Sequence, residues 1–269
     1  MLEKLSLDGK TVVITGGGTG LGREMALAMA SAGADLAIAS RRVGPIEEVA
    51  DRVRDLGRRA ITISTDVTDS GQVNLLIERS LDEFGKIDVL LNNAGIVRGQ
   101  GAMPIWEITD EDWRVGMDTN ITGSLYCSRA VAKHMVERGQ GKIINVSSGF
   151  GLRGGRDNYM YACAKGAVIQ LTRTLATSLG RYGITSTCIV PGFLPTQSAT
   201  DDSGGRLRKA GDFIPIGRVG DPAEMGPIAV FLASRASDYM NGEMFIIDGG
   251  AIAGGYAPTG YAPDIPLMV

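Results

Sequence analysis

Little in this chain supports covalent cross-linking or metal chemistry. Its 269 residues hold three cysteines (Cys127, Cys163, Cys188), a single histidine, His134, and no CxxC pair. A disulfide framework and a zinc site are therefore not expected, and a reducing cytoplasm is the expected setting. Charge of one sign is also lacking: 27 Lys and Arg stand against 30 Asp and Glu, a net charge of -3. There is no basic surplus to attract nucleic acid or an anionic membrane, so neither is expected as a partner. No apolar run reaches the ~18 residues of a membrane span, and Met1 to Asp8 lack the apolar stretch of a signal peptide. A soluble protein is the expectation.

What is present is alternation. Short β-branched runs (11–15, 36–40, 60–65, 89–91, 142–147, 185–190, 244–247) alternate with helical stretches near 21–32, 45–56, 70–84, 110–137, 159–180 and 222–233. That pattern predicts an α/β fold, a Rossmann-like doubly wound parallel sheet of about seven strands with helices on both faces. The continuous apolar runs imply strands buried on both sides. No repeat or linker interrupts residues 1–250, so one domain is expected there. Gly192 to Asp212 is polar where a crossover helix is due, and 251–269 is a Gly, Tyr and Pro tail that includes Tyr256 and Tyr261. Both read as a lid or an unstructured end, with the tail docking on a neighbouring subunit as the favoured alternative.

The first predicted strand runs into Thr15-Gly16-Gly17-Gly18-Thr19-Gly20-Leu21-Gly22. Gly16 permits a tight turn, Gly20 a close approach of backbone to a pyrophosphate, and Gly22 tight packing of the next helix, whose first amides then face the anion. Ser40-Arg41-Arg42 closes the second strand. An acid at Ser40 would bind the ribose 2′-hydroxyl of NAD, whereas arginine suits a 2′-phosphate, so NADP is favoured over NAD.

Tyr161-Ala162-Cys163-Ala164-Lys165 opens the predicted helix 159–180, with Ser148 thirteen residues before the tyrosine. Positions i and i+4 share a helix face, which brings the ammonium near the phenol. An isolated phenol titrates near ~10. An adjacent cation is expected to lower it into the range of a useful acid or base.

Taken together these motifs resemble the short-chain dehydrogenase/reductase family over about Leu7 to Gly250. The family's TGxxxGxG loop stands as Thr15 to Gly22, NNAG as Asn92-Asn93-Ala94-Gly95, its asparagine as Asn120, its serine as Ser148, YxxxK as Tyr161 and Lys165, and its PG turn as Pro191-Gly192 followed by Thr196. The resemblance implies that Asp66 and Val67 lie at the adenine, that Asn92, Ala94 and Gly95 wall the adenosine, and that Val190, Pro191, Gly192, Leu194 and Thr196 border the nicotinamide. It also implies a catalytic set in which Ser148 binds the carbonyl oxygen, Tyr161 moves the proton, Lys165 holds the nicotinamide ribose, and Asn120 bends its helix and extends a proton relay. Homotetramers or homodimers are the family's usual assemblies.

An NADP-dependent oxidoreductase of ketones and secondary alcohols is thus expected. The alternatives are an enoyl- or dienoyl-thioester reductase, which the glycine loop and Ser40-Arg41-Arg42 also resemble, a catalytically silent NADP-binding scaffold, and an NDP-sugar epimerase. Arg98, Gly99, Phe150, Leu152, Met160, Phe193 and Leu194 form the expected substrate wall, and its apolar content suggests a hydrophobic or cyclic ketone. Cys163 reads as an inert buried thiol. His134 reads as a surface or interface residue, and Trp106 and Trp113 as packed beside the fourth helix. Tyr159 reads as pocket wall. Arg153 and Arg156 are read either as parts of a solvated loop or as contacts to an acidic substrate.

Overall fold

The computed structural model describes residues 2–96, 103–196 and 210–254. Arg98, Gly99, most of the expected lid and residues 255–269 lie outside them. Seven strands form one parallel sheet: β1 (Thr11–Thr15), β2 (Asp35–Ser40), β3 (Ala60–Ser64), β4 (Val89–Asn92), β5 (Gly141–Val146), β6 (Ile184–Pro191) and β7 (Met244–Ile247). Their order is β3-β2-β1-β4-β5-β6-β7. The helices are α1 (Gly20–Ser31), α2 (Val43–Asp55), α3 (Ser70–Phe84), α4 (Asp110–Met117), α5 (Gly123–Arg138), α6 (Tyr159–Leu179) and α7 (Met225–Ala233). Because β1 pairs with β2 on one side and β4 on the other, the winding reverses at β1. The crevice beyond the carboxyl ends of β1 and β4 is where such sheets take ligands.

Alternate residues of an inner strand serve opposite faces. In β1, Val12 and Ile14 share a core with Met25 and Met29 of α1 and Met225 of α7, whereas Val13 joins Leu76 of α3 and Val131 of α5. Full burial of such side chains contributes roughly 1.5 to 3 kcal/mol each. Burial on both faces fails at β7, where Ile246 is 43% exposed. Among the described residues no further strand covers that edge.

Other expectations are corrected here. The segment 110–137 is not one α-helix: a π-helical turn, Asp118–Thr122, separates α4 from α5. The segment after Gly250 opens with a helical turn, Ala251–Gly254, tied by the Ile252 amide donating to Asp248 Oδ2 at 2.7 Å. Trp106 and Trp113 are 81% and 41% exposed rather than packed. Cys163 is exposed, while Cys127 and Cys188 are buried. His134 is half-buried, and its Nε2 accepts from the Ile87 amide at 3.1 Å, so it fixes the entry to β4.

At that entry sits Asp88, a buried carboxylate. It accepts from the Thr11 amide at 3.0 Å and from Arg138 Nη2 at 3.0 Å, with Lys86 and Lys10 at 3.3 and 3.7 Å. Burial alone would raise its pKa, but the amide and the cations outweigh burial and hold it below the ordinary carboxylate value. Its contribution to stability is therefore present above the unfolded carboxylate's pKa and is lost as pH falls through the lowered folded one. Asp88→Ala is expected to destabilise the fold by about 2 to 3 kcal/mol at pH 7, and by less in acid. An unchanged urea midpoint at pH 7 would contradict this.

Candidate active site

The glycine loop leaves β1 at Gly16, whose φ of +66° is left-handed. A Cβ there would stand 2.9 Å from both Ala94 Cα and Asn93 Nδ2, so only glycine lets the loops after β1 and β4 touch. Gly20, at φ +55°, admits the Thr196 methyl, which a Cβ would meet at 2.8 Å. The segment after β6 is thereby laid against the start of α1. Thr19, the N-cap, is extended and makes no side-chain cap bond, so no cap hydroxyl competes for the amides of the first turn, which includes Leu21 and Gly22. Such a helix start receives a phosphate.

At the end of β2 the Ser40 hydroxyl donates to the Arg42 carbonyl at 2.9 Å and accepts from the Arg42 amide at 3.3 Å, shaping the turn. Arg41 and Arg42 are exposed. Neither has a carboxylate partner among the described residues. Asp66 Oδ1 accepts from the Thr68 amide and hydroxyl at 3.0 and 2.8 Å, holding the loop beyond β3. Val67 is buried, and its side chain packs on Gly123.

Asn92 corrects one expectation. It is 2% exposed, and its Nδ2 donates to Asn145 Oδ1 at 2.9 Å and Ser128 Oγ at 3.0 Å, binding β4 to β5 and α5. Its side chain is engaged between β4, β5 and α5. The residue that addresses the glycine loop is Asn93, which sequence reasoning passed over. Its Nδ2 donates to the carbonyls of Thr15 and Gly16 at 3.1 and 3.0 Å, and the Asn93 and Ala94 amides both donate to Thr15 Oγ1. Strand alternation was the available signal, since Asn93 follows a last strand residue that faces the sheet interior.

The expected catalytic residues come from three elements. Asn120 lies in the π-helical turn, fully buried. Its Nδ2 donates to the Gly116 and Ile96 carbonyls at 3.0 and 3.2 Å, and its Oδ1 accepts from the Ile96 amide at 3.2 Å. A side chain taking up displaced backbone groups is what such a turn needs, and such turns recur at functional sites. Gly95 is the meeting point: a Cβ there would lie 2.8 Å from Asn120 Oδ1 and 3.2 Å from Lys165 Nζ. Lys165 is buried, donates to the Val146 carbonyl at 3.0 Å, and stands 5.6 Å from the centre of the Tyr161 ring. Burial pushes its ammonium down to about 8.

Tyr161 departs from expectation. Burial pushes its phenol above the ordinary value, and the Ser148 hydrogen bond offsets only part of that. The Lys165 ammonium, 5.6 Å from the ring centre, is not what offsets the burial. Ser148 follows β5 and also accepts from the Phe150 amide at 3.3 Å.

Around these groups the expected substrate wall is only partly assembled. Phe150 meets Tyr161 edge-on, with ring centres 6.4 Å apart. Leu152 is exposed at the turn's end. Met160 is 2% exposed and belongs to the interior, a correction: at the start of α6 it points away from the face that carries Tyr161. Phe193 and Leu194 line a small cavity of about 100 Å³ with Ile216, Arg218 and Asp248, which includes neither Ser148 nor Tyr161. The Pro191-Gly192 turn is pinned by the Gly192 amide donating to the Ile247 carbonyl at 2.9 Å.

Comparison with known proteins agrees with this geometry. A family model for short chain dehydrogenases matches residues 10–205. The 2-dehydro-3-deoxy-D-gluconate 5-dehydrogenase of Escherichia coli (strain K12) is 39% identical over 257 residues, covering 94% of this chain and 99% of that protein. Among solved structures, a gluconate 5-dehydrogenase from Burkholderia cenocepacia J2315 in complex with NADP and tartrate superposes with a TM-score of 0.87 at 36% identity, covering 94% of this chain and 99% of that one. A putative gluconate dehydrogenase from Agrobacterium tumefaciens gives 0.87 at 35% identity, covering 93% and 98%. The chain belongs to the short-chain dehydrogenase family. It is an oxidoreductase of alcohol and carbonyl groups, and the thioester-reductase alternative is not favoured.

Proposed function

We propose that this protein is an NADP(H)-dependent dehydrogenase that interconverts a secondary alcohol and a ketone on a polyhydroxylated carboxylic acid related to gluconate. The observation that carries the substrate class is near full-length similarity to proteins named for gluconates. It replaces the hydrophobic ketone that the apolar wall suggested. The glycine loop, the uncapped start of α1 and the paired Arg41 and Arg42 are the residues that would hold NADP.

When bound, the nicotinamide supplies or accepts the hydride. The remaining chemistry falls to side chains. Ser148 Oγ donates to the carbonyl oxygen, where charge develops. Tyr161 gives that oxygen its proton in reduction and takes it back in oxidation. A phenol raised by burial stays protonated at neutral pH, which suits the acid role. Lys165 would hold the ribose and favour the phenolate in oxidation, and Asn120 fixes Ile96 and the π-helical turn behind it. Residues 1–250 act as one catalytic domain in a soluble, cytoplasmic homotetramer or homodimer. Among the described residues no helix is long and apolar enough to cross a membrane.

The test is a screen of NADP(H) turnover over gluconates, neutral ketones, β-keto thioesters and enoyl thioesters. Turnover of a gluconate or its keto acid is expected, and activity confined to enoyl thioesters would overturn the reading. For the cofactor, Arg41→Ala is expected to weaken NADPH binding by roughly tenfold or more with NADH nearly unchanged, since charge-assisted bonds to the 2′-phosphate are lost. Fluorescence titration measures both affinities. Equal affinity of the unaltered protein for NADH and NADPH would contradict the assignment.

A further inference from the structure

We propose that Arg153 and Phe150 form a carboxylate-binding subsite that places the substrate's acid group at a fixed reach from Tyr161; this deepens the sugar-acid reading above and rests on it. Phe150 is the centre of the arrangement. Its ring meets Tyr161 edge-on at 6.4 Å between centres, with an interplanar angle of 75°. The Arg153 guanidinium lies over the same ring, its Cζ 5.7 Å from the centre. One aromatic platform therefore connects a cation to the expected proton donor.

The platform is held from several sides. The Phe150 amide donates to Ser148 Oγ at 3.3 Å, so the ring's origin is fixed relative to the serine. The Arg153 amide donates to the Gly149 carbonyl at 3.2 Å. Gly155 packs so closely on the ring that a Cβ there would stand 2.7 Å from Phe150 Cε1. Stacking orients a guanidinium while leaving its in-plane N–H groups free to meet a carboxylate.

Arg153 differs from its neighbour in what it already holds. Arg156 is 96% exposed at its side chain and pairs with Asp157 at 3.5 Å. Arg153 has no carboxylate partner among the described residues. An exposed cation stacked beside the reacting groups, with no counter-ion among the described residues, suits an acidic substrate. Phe150 touches both groups, so a carboxylate held by Arg153 and a carbonyl at the Tyr161 hydroxyl would flank the same ring.

The test uses tartrate as the carboxylate probe, titrated calorimetrically into the full-length protein with NADP⁺ present. Arg153→Ala should weaken tartrate binding by about tenfold or more, as loss of a charge-assisted pair requires. Arg153→Lys should recover part of it. In gluconate oxidation, Arg153→Ala should raise KM by a similar factor with kcat nearly unchanged, because the lost contact is made equally in ground and transition states. NADP⁺ affinity should not move. Equal tartrate affinity of the unaltered protein and Arg153→Ala, or no tartrate binding to the unaltered protein, overturns the proposal. The two readings separate cleanly. Arg153-dependent tartrate binding without turnover of any gluconate sinks the sugar-acid function and leaves the subsite standing. Gluconate turnover with KM and tartrate affinity indifferent to Arg153 does the reverse.

Discussion

Tyr161→Phe is expected to lower turnover by about 10² to 10⁴ while leaving NADPH affinity close to that of the unaltered protein. The substitution keeps the ring that meets Phe150 edge-on and removes only the hydroxyl that bonds Ser148. In the proposed mechanism the phenol is the proton source and Lys165 holds the ribose, so chemistry and cofactor affinity should separate. Stopped-flow reduction with a single turnover of NADPH measures the step directly. A variant retaining more than about a tenth of the normal rate would show that the proton comes from elsewhere, since general acid help of this kind is far larger.

Lys165→Met is expected to abolish turnover and, at the same time, to stabilise the ligand-free fold. Lys165 is 4% exposed, and burial moves its ammonium from 10.5 to about 8. That shift represents roughly 3 kcal/mol of unfavourable burial at neutral pH. Methionine removes it and forfeits the bond to the Val146 carbonyl, about 1 kcal/mol, for a net gain of about 1 to 2 kcal/mol. The sign follows from proton counts. Below pH 8 both folded and unfolded forms hold the proton and the penalty is complete; between 8 and 10.5 only the unfolded form holds it, so the unaltered protein gains stability as pH rises. The advantage of the variant should therefore shrink through that window. Denaturation at pH 7 and pH 10 tests this, and a variant less stable than the unaltered protein at pH 7 would contradict it. An active site that costs stability is a familiar trade.

The fold was legible because its signals are local and repeated. Strand cores such as Val12, Val13 and Ile14 announce themselves by β-branching, and each is followed by a helix-length segment. The glycine loop was legible for a similar reason: each glycine meets a geometric need that the chain order alone suggests. What stayed hidden depends on partners far away in sequence. Asn92 and Asn93 are chemically identical, and only the pairing of β4 with β5 turns one inward to Asn145 and the other to Thr15 and Gly16. The i to i+4 spacing of Tyr161 and Lys165 gave proximity but not burial, and burial decides the direction of both shifts. Cys163 lies on the same helix as both, yet faces solvent because α6 has an uncovered side among the described residues. His134 reads from sequence as a surface or interface residue, while its role is set by the Ile87 amide arriving from the strand entry.

The proposed reaction is hydride transfer between NADP(H) and a carbonyl carbon, with Tyr161 moving the proton. The most direct measurement is to incubate the protein with NADPH carrying deuterium on the transferable position of the nicotinamide and a keto acid of gluconate, then locate the label by mass spectrometry and NMR. Deuterium is expected on the new carbinol carbon, one label per oxidised cofactor, with no transfer by Tyr161→Phe beyond the residual rate. Label found instead on a saturated carbon of an enoyl thioester, with none delivered to any ketone, would contradict it.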